Sequence, residues 1–167
     1  MIRFVELPPA VMRALAAGDL GTAKDLTGVE LGELFVGDRA KWLWSYRLRQ
    51  LVDEPEAAAW IARAVVAEPE GVVVGYAGFH GPPDERGMVE VGYTVDPAYQ
   101  RRGYATAMLG AMLERAAGEA GVQVVRASIS PSNVASLATV AKYGFVHVGE
   151  EWDDEDGLEL LFELPVS

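Results

Sequence analysis

Ten consecutive residues, Asp96-Pro97-Ala98-Tyr99-Gln100-Arg101-Arg102-Gly103-Tyr104-Ala105, combine the residue types with the clearest chemical use in this sequence. A glycine-containing turn that leads from a strand into a helix N-terminus exposes successive backbone N–H groups at the positive end of the helix dipole, which makes a cradle for an anion. Gly103 permits close approach of the backbone, Ala105 is too small to block it, and Arg101 and Arg102 add positive charge, so a pyrophosphate would be satisfied there. The same strand, turn and helix also serve simply to connect α/β units. With no cysteine in 167 residues there is no disulfide, no thiolate metal site and no cysteine-linked intermediate, so a group transfer must take another route.

The elements that must position this turn follow from hydrophobic spacing. Upstream, Val89 to Val95 alternate: Val89, Val91, Tyr93 and Val95 share one face of a strand, Glu90, Gly92 and Thr94 the other, and Gly92 suggests a bulge. Downstream, Ala105, Met108, Leu109, Met112, Leu113 and Ala116 recur at helical spacing, and Gly121 ends that helix. VVRASI is a further strand, Ser132 or Asn133 caps a helix to about Tyr143, and FVHVGEEW with LELLFEL form a closing hairpin. Nearer the N-terminus, Ile2 to Glu6 read as a strand, Pro8-Pro9 open a helix to about Ala17, and Asp19 caps a second through Leu26. A third helix from about Phe35 to Leu51 has Ala40, Leu43, Trp44, Leu48 and Leu51 as its core stripe, with Trp42 and Tyr46 off it, and a short helix follows Pro55. AVVAE and VVVGYAGF make a hairpin, and the loop HGPPDERG leads to Val89. The class is mixed α/β around one central sheet.

The length suits one domain, and no apolar run approaches the ~20 residues of a membrane span. The start MIRFVELPPA lacks the pattern of a secretory signal, so a soluble, cytoplasmic protein with no membrane partner is expected. A formal net charge of -11 argues against nucleic acid as a partner. Glu150, Glu151, Asp153, Asp154, Glu155, Asp156 and Glu159 concentrate much of that charge in one segment, read as a solvated hairpin turn, with a cation-attracting lip on an active site as the alternative.

The segment Gln100 to Ala105 resembles the Q/R-x-x-G-x-G/A acetyl-CoA motif of the GNAT superfamily, with alanine at its last position. Ser128 to Phe145, S-I-S-P-S-N-V-A-S-L-A-T-V-A-K-Y-G-F, is similar to the second half of that family's cofactor site. The Gly92-Tyr93 strand and the N-x-x-S helix start are most similar to the ribosomal-protein-alanine acetyltransferase-like branch. This resemblance implies the GNAT fold, a central mixed, mostly antiparallel twisted sheet of about six or seven strands flanked by helices, in a single domain over residues 1–167. Within it, residues 1–62 would supply the N-terminal strand and acceptor-side helices, 89–145 the acetyl-CoA-binding core, and 145–164 the closing hairpin.

The implied activity is N-acetyl transfer from acetyl-CoA, without a metal, to a primary amine on a small molecule or a protein N-terminus, by direct attack in a ternary complex. The alternative is a catalytically weak acyl-CoA-binding sensor or regulatory module, and a homodimer stays open. The resemblance assigns Val95 to the pantetheine arm, Arg101, Arg102, Gly103, Tyr104, Ala105 and Thr106 to the pyrophosphate, and Asn133 to the pantetheine side, where it also reads as a helix cap. Lys142 and Arg126 read as further phosphate partners or as ordinary surface charges. Glu90 is the base expected to deprotonate the amine, with His80 and His147 as alternatives. Ser136 is expected to contact the sulfur; Val140 occupies the position of the family's proton-donating tyrosine, which leaves Tyr143 as the substitute. Trp42, Trp44, Tyr46, Trp60 and the loop from His80 to Pro83 fall where the family builds its acceptor site, as a pocket wall or as core, and helical spacing with Leu48 favours core for Trp44.

Overall fold

A computed structural model describes residues 1–166. In chain order the elements are β1 (Ile2–Val5), α1 (Pro9–Ala16), α2 (Leu20–Thr27), α3 (Asp38–Asp53), β2 (Arg63–Ala67), β3 (Val72–Phe79) and β4 (Met88–Val95), then α4 (Tyr104–Gly118), β5 (Val124–Ile129), α5 (Val134–Lys142), β6 (Val146–Asp153) and β7 (Gly157–Pro165). Short 3-10 turns at Glu33–Val36, Pro55–Ala59 and Pro97–Tyr99 join them. Proline opens α1, where a missing N–H costs nothing, and Asp19 caps α2 by accepting from the Thr22 N–H at 3.0 Å.

One seven-stranded sheet runs in the order β1-β2-β3-β4-β5-β7-β6, mostly antiparallel, as expected of the GNAT fold. It separates two apolar layers. On one side α4 and α5 bury Met108, Leu109, Met112 and Val140 against Val89, Val91, Val125 and Ala127; on the other, α1 and α3 bury Leu15 and Trp44 against Ala64, Val66 and Tyr76. The alternation of β4 therefore sends Val89 and Val91 into the α4/α5 layer and leaves Glu90 and Gly92 on the side of α3.

The pairing of β4 is what makes a site. It stays antiparallel to β3 as far as Gly75↔Val95, but runs parallel to β5 only over Met88↔Val124, Val89↔Val125 and Glu90↔Arg126. Beyond Glu90 the two strands part. That leaves a wedge with an unpaired backbone edge from Val91 to Val95, open to an extended guest that can add as a strand.

Three local expectations are corrected. Gly92 marks no bulge, since it pairs squarely with Gly78; the register shifts lie at Val65/Val66 and His147/Gly149. Helix α4 ends at Gly118, with the Glu119 N–H turned back to Ala116 O, so Gly121 is already in the next turn. Helix α3 starts at Asp38, because Phe35 is held in a 3-10 turn where its carbonyl accepts the Trp44 indole N–H at 2.8 Å.

Candidate active site

The turn after β4 is built as an anion cradle. Asp96 folds its start by accepting from the Ala98 N–H at 2.9 Å, and two left-handed residues follow, Arg101 at φ 65° and Gly103 at φ 84°. A left-handed arginine is uncommon and costs backbone strain, which a functional turn retains. The first bond inside α4 is Ala107 N–H to Gly103 O at 3.0 Å, and no side chain caps the helix, so the N–H groups of Tyr104, Ala105 and Thr106 have no acceptor among the described residues. Nothing lies within 4 Å of the point where a Cβ on Gly103 would stand. Arg102 lies over the Tyr99 ring, 5.6 Å from its centroid, and Lys142 reaches the cradle through the Thr106 hydroxyl at 3.2 Å. Free donors, an open face and three cations fit a pyrophosphate, and the adjoining wedge fits the amide-bearing arm that would continue from it.

The wedge opens into a cleft of ≈ 880 Å³, walled by β4 and β5 on one side and α3 on the other. Glu90 lines it and pairs with His80, Nδ1 to Oε2 at 3.2 Å. Burial alone would raise the Glu90 carboxyl, but His80, the nearby Ser128 hydroxyl and Arg126 together hold it below its ordinary 4.5. A carboxylate paired in this way anchors the imidazole. With Nδ1 on Glu90, the Nε2 of His80 remains as the proton-accepting atom. That atom lies 3.0 Å from where a Cβ on Gly92 would be, so the glycine in mid-strand makes room for the ring.

Across the wedge, Ser136 and Asn133 of α5 line the same cleft. Asn133 is the cap of α5, its side-chain oxygen accepting from the Ser136 N–H at 3.2 Å, which leaves its amide nitrogen for another partner. Beside them the Tyr93 hydroxyl is buried with no hydrogen-bond partner. Burial pushes this phenol up, opposed by the Ser136 and Thr139 hydroxyls, so it is a neutral proton donor aimed at α5.

Tyr143 is not brought to this place. As the C-cap of α5 it turns towards α4, donates to Thr106 O at 2.7 Å and covers Gly110, so its hydroxyl is committed to packing two helices. Val140, at the family's tyrosine position, is 1% exposed and part of the core. Arg126 is taken by Glu163, with contacts at 3.0 and 2.5 Å, and His147 bonds Gly149 O on the outer strand, so neither reaches the cleft. Trp44 is fully buried and Trp60 packs on Phe79 and Arg115, whereas Trp42 and Tyr46 stack at 5.4 Å on the cleft wall.

The acidic segment is a lip and not a detached turn: Glu151, Asp153, Asp156 and Glu159 line the cleft mouth. Arg39 of α3 fastens it through a bidentate pair with Asp156 at 2.5 and 3.1 Å. Asp153, Asp156 and Glu159 bring ligand oxygens within 4.8 Å of one another, but Asp156 is engaged by Arg39 and Asp153 accepts from the N–H groups of Glu155 and Asp156. Burial and the surrounding carboxylates push Glu159 up. No helix among the described residues is long and apolar enough to cross a membrane.

Comparison with known proteins bears on the family and the fold. Residues 25–146 match the family described as the acetyltransferase (GNAT) domain. The uncharacterised N-acetyltransferase YjdG of Bacillus subtilis (strain 168) is 31% identical over 88 residues, which are 53% of this chain, and the chain spans 51% of that relative's length. The ribosomal-protein-S5-alanine acetyltransferase of Vibrio fischeri superposes with a TM-score of 0.66 at 19% identity, over 99% of this chain and 92% of its own. The microcin C7 self-immunity acetyltransferase MccE, solved in complex with acetyl-CoA and AMP, superposes with a TM-score of 0.67 at 12% identity, over 99% of this chain and 92% of its own. At these identities the superpositions speak for the fold.

Proposed function

Because the chain belongs to the GNAT acetyltransferase family, we propose that it moves the acetyl group of acetyl-CoA to a primary amine by direct attack within a ternary complex. The observation that carries the proposal is the succession of three features along β4 and into α4: a cleft that holds a Glu–His pair, a wedge between β4 and β5 that opens beyond Glu90, and a free-donor cradle at the start of α4. Acetyl-CoA supplies an activated acetyl thioester. The N–H groups of Gly103 to Thr106, with Arg101, Arg102 and Lys142, bind its phosphates, and the edge of β4 at Val95 with Asn133 holds its arm.

The acceptor reaches the cleft as an ammonium drawn by the acidic lip and must lose a proton before its lone pair can attack. His80 Nε2 takes that proton, directly or through one water, while Glu90 fixes the ring by its Nδ1. The new C–N bond forms as the C–S bond breaks, and the second proton of the attacking nitrogen passes through the Ser136 hydroxyl, which lies beside the Tyr93 phenol, to the departing sulfur, so that a neutral amide and a thiol leave. In this scheme Glu90 positions the base and His80 acts as the base, and Tyr143 has no part.

Thiol release from acetyl-CoA, followed with a panel of primary amines, tests the proposal. Amine-dependent release is expected, without a burst of acetylated protein in single-turnover kinetics. Binding of acetyl-CoA with no release for any amine would favour the sensor reading, to which the core valine at position 140 lends support.

A further inference from the structure

Arg47 is the only charged side chain buried among the described residues, 7% exposed in the middle of α3. It forms no ion pair there, unlike the partly buried Arg126, which is paired with Glu163. Its Nη1 donates to Gln50 Oε1 at 2.8 Å and to the His80 carbonyl at 3.2 Å, and its Nε is buried without a partner. The guanidinium lies 5.3 Å from the Tyr46 ring centroid. Taking such a cation out of water without a counter-charge is expensive, and a chain gains nothing in stability by keeping it. Leucine or methionine would fill the same position on an amphipathic helix at no such cost.

The cost has a use if the counter-charge arrives with the acceptor. Arg47 lines the same cleft as Glu90 and His80, and one residue joins the two charges: the backbone carbonyl of His80 accepts from Arg47, and its ring holds Glu90. A cation and an anion thus both bear on the residue whose ring is proposed to take the acceptor's proton, one through its backbone carbonyl and one through its Nδ1. We infer that the acceptor is a small zwitterion, an amine whose neighbouring carbon bears a carboxylate, with the ammonium at Glu90–His80 and the carboxylate at Arg47. This rests on the amine-acetylation reading above and narrows it to free amino acids.

The acidic lip agrees with a zwitterion that has no net negative charge and disfavours a second carboxylate, because Glu151, Asp153, Asp156 and Glu159 line the same cleft as Arg47. Burial pushes the Arg47 guanidinium below its ordinary value, opposed by Tyr46 and Glu90, and a carboxylate docked on it would strengthen its charge further. A neutral carbonyl, as in an amide or a peptide N-terminus, supplies an acceptor oxygen but no counter-charge. Charge-assisted bonds are roughly twice as strong as neutral ones, which is the margin on which the two classes would be separated.

The test uses matched trios of acceptors: the free amino acid, its amide and its decarboxylated amine, built on alanine, lysine and phenylalanine, with kcat/KM read by thiol release. For at least one trio the free acid should exceed its amide and its amine by about 10- to 100-fold, and Arg47→Gln should lower kcat/KM for the free acid by far more than for its amide or its amine, so that the preference within the trio collapses. A merely structural Arg47 would lower all three together. The preference within a trio is read on the unaltered protein, so it decides the matter even if Arg47→Gln fails to fold, and Arg47→Lys should retain part of it. Equal rates for acid, amide and amine, or turnover confined to amines without a carboxylate, would overturn the inference and leave amine acetylation standing. Absence of release with every amine would instead overturn the proposed function itself.

Discussion

The substitution Gly92→Ala adds one methyl group to the middle of β4 and touches no charged residue. In a strand interior glycine is ordinarily worse than alanine by roughly 0.5–1 kcal/mol, so stability alone should rise slightly. The added Cβ would stand 3.0 Å from His80 Nε2, tighter than an ordinary contact, and the ring must move by about half an ångström to relieve it. It has somewhere to go, because the His80 side chain is 45% exposed. The Nδ1 to Glu90 contact is 3.2 Å, already at the long end for a hydrogen bond, so any such movement detaches the ring from its anchor. A displacement of about 1 Å near the chemistry costs about 10²-fold, and half of it implies a loss in kcat/KM of about tenfold or more. The assay pairs a melting curve, with and without acetyl-CoA, against steady-state thiol release. Folding and acetyl-CoA binding should be retained while turnover falls. His80→Gln should lose at least as much, and adding Gly92→Ala to it should cost little more, since both act through one ring. Full activity in Gly92→Ala, or additive losses in the double variant, would refute the role given to His80.

Tyr143→Phe should lower stability by about 0.5–1.5 kcal/mol through the lost bond to Thr106 O and leave kcat unchanged; a large loss of kcat with normal stability would return Tyr143 to the chemistry. Tyr93→Phe removes a buried hydroxyl that has no partner, so unfolding free energy should stay level or rise, while kcat falls; unchanged kcat would remove it from proton delivery. Because the folded state holds Glu90 below its ordinary 4.5, its contribution to stability is present above that value and is lost as pH falls through the lower folded value. Urea unfolding from neutral pH down past 4.5 should therefore show a shallower acid-side loss in Glu90→Gln than in the unaltered protein.

What was legible in the sequence was what local spacing controls. The alternation of Val89 to Val95, the helical recurrence from Ala105 to Ala116 and the glycine between them were enough to place the cradle, because a turn between two patterned elements has few conformations. Whatever depended on a side chain's direction at an element's end was not. Tyr143 lies one position past the last helical residue of α5, and its aim towards α4 is set by the cap, which spacing does not encode. The Glu90–His80 pair needed the register of β3 against β4, and the lip needed a contact between Arg39 and Asp156 across 117 positions. Arg47 was hidden by a sound rule: arginine on an amphipathic helix is ordinarily exposed, so Leu43 and Leu48 were assigned the stripe that α3 in fact shares with a buried cation.

The proposed function requires acetyl-CoA to bind at the cradle and wedge, and a melting experiment reaches that directly. A ligand bound only by the native state at 100 times its Kd adds about 2.7 kcal/mol, which for a chain of this size raises Tm by about 5–10 °C. Acetyl-CoA should produce such a shift in the unaltered protein. Gly103→Ala places a Cβ on the open face of the cradle at a positive φ, with a strain of about 1–2 kcal/mol that leaves the chain folded, and should lose most of the shift. No shift in the unaltered protein, or an equal shift in Gly103→Ala, would contradict binding at this cradle.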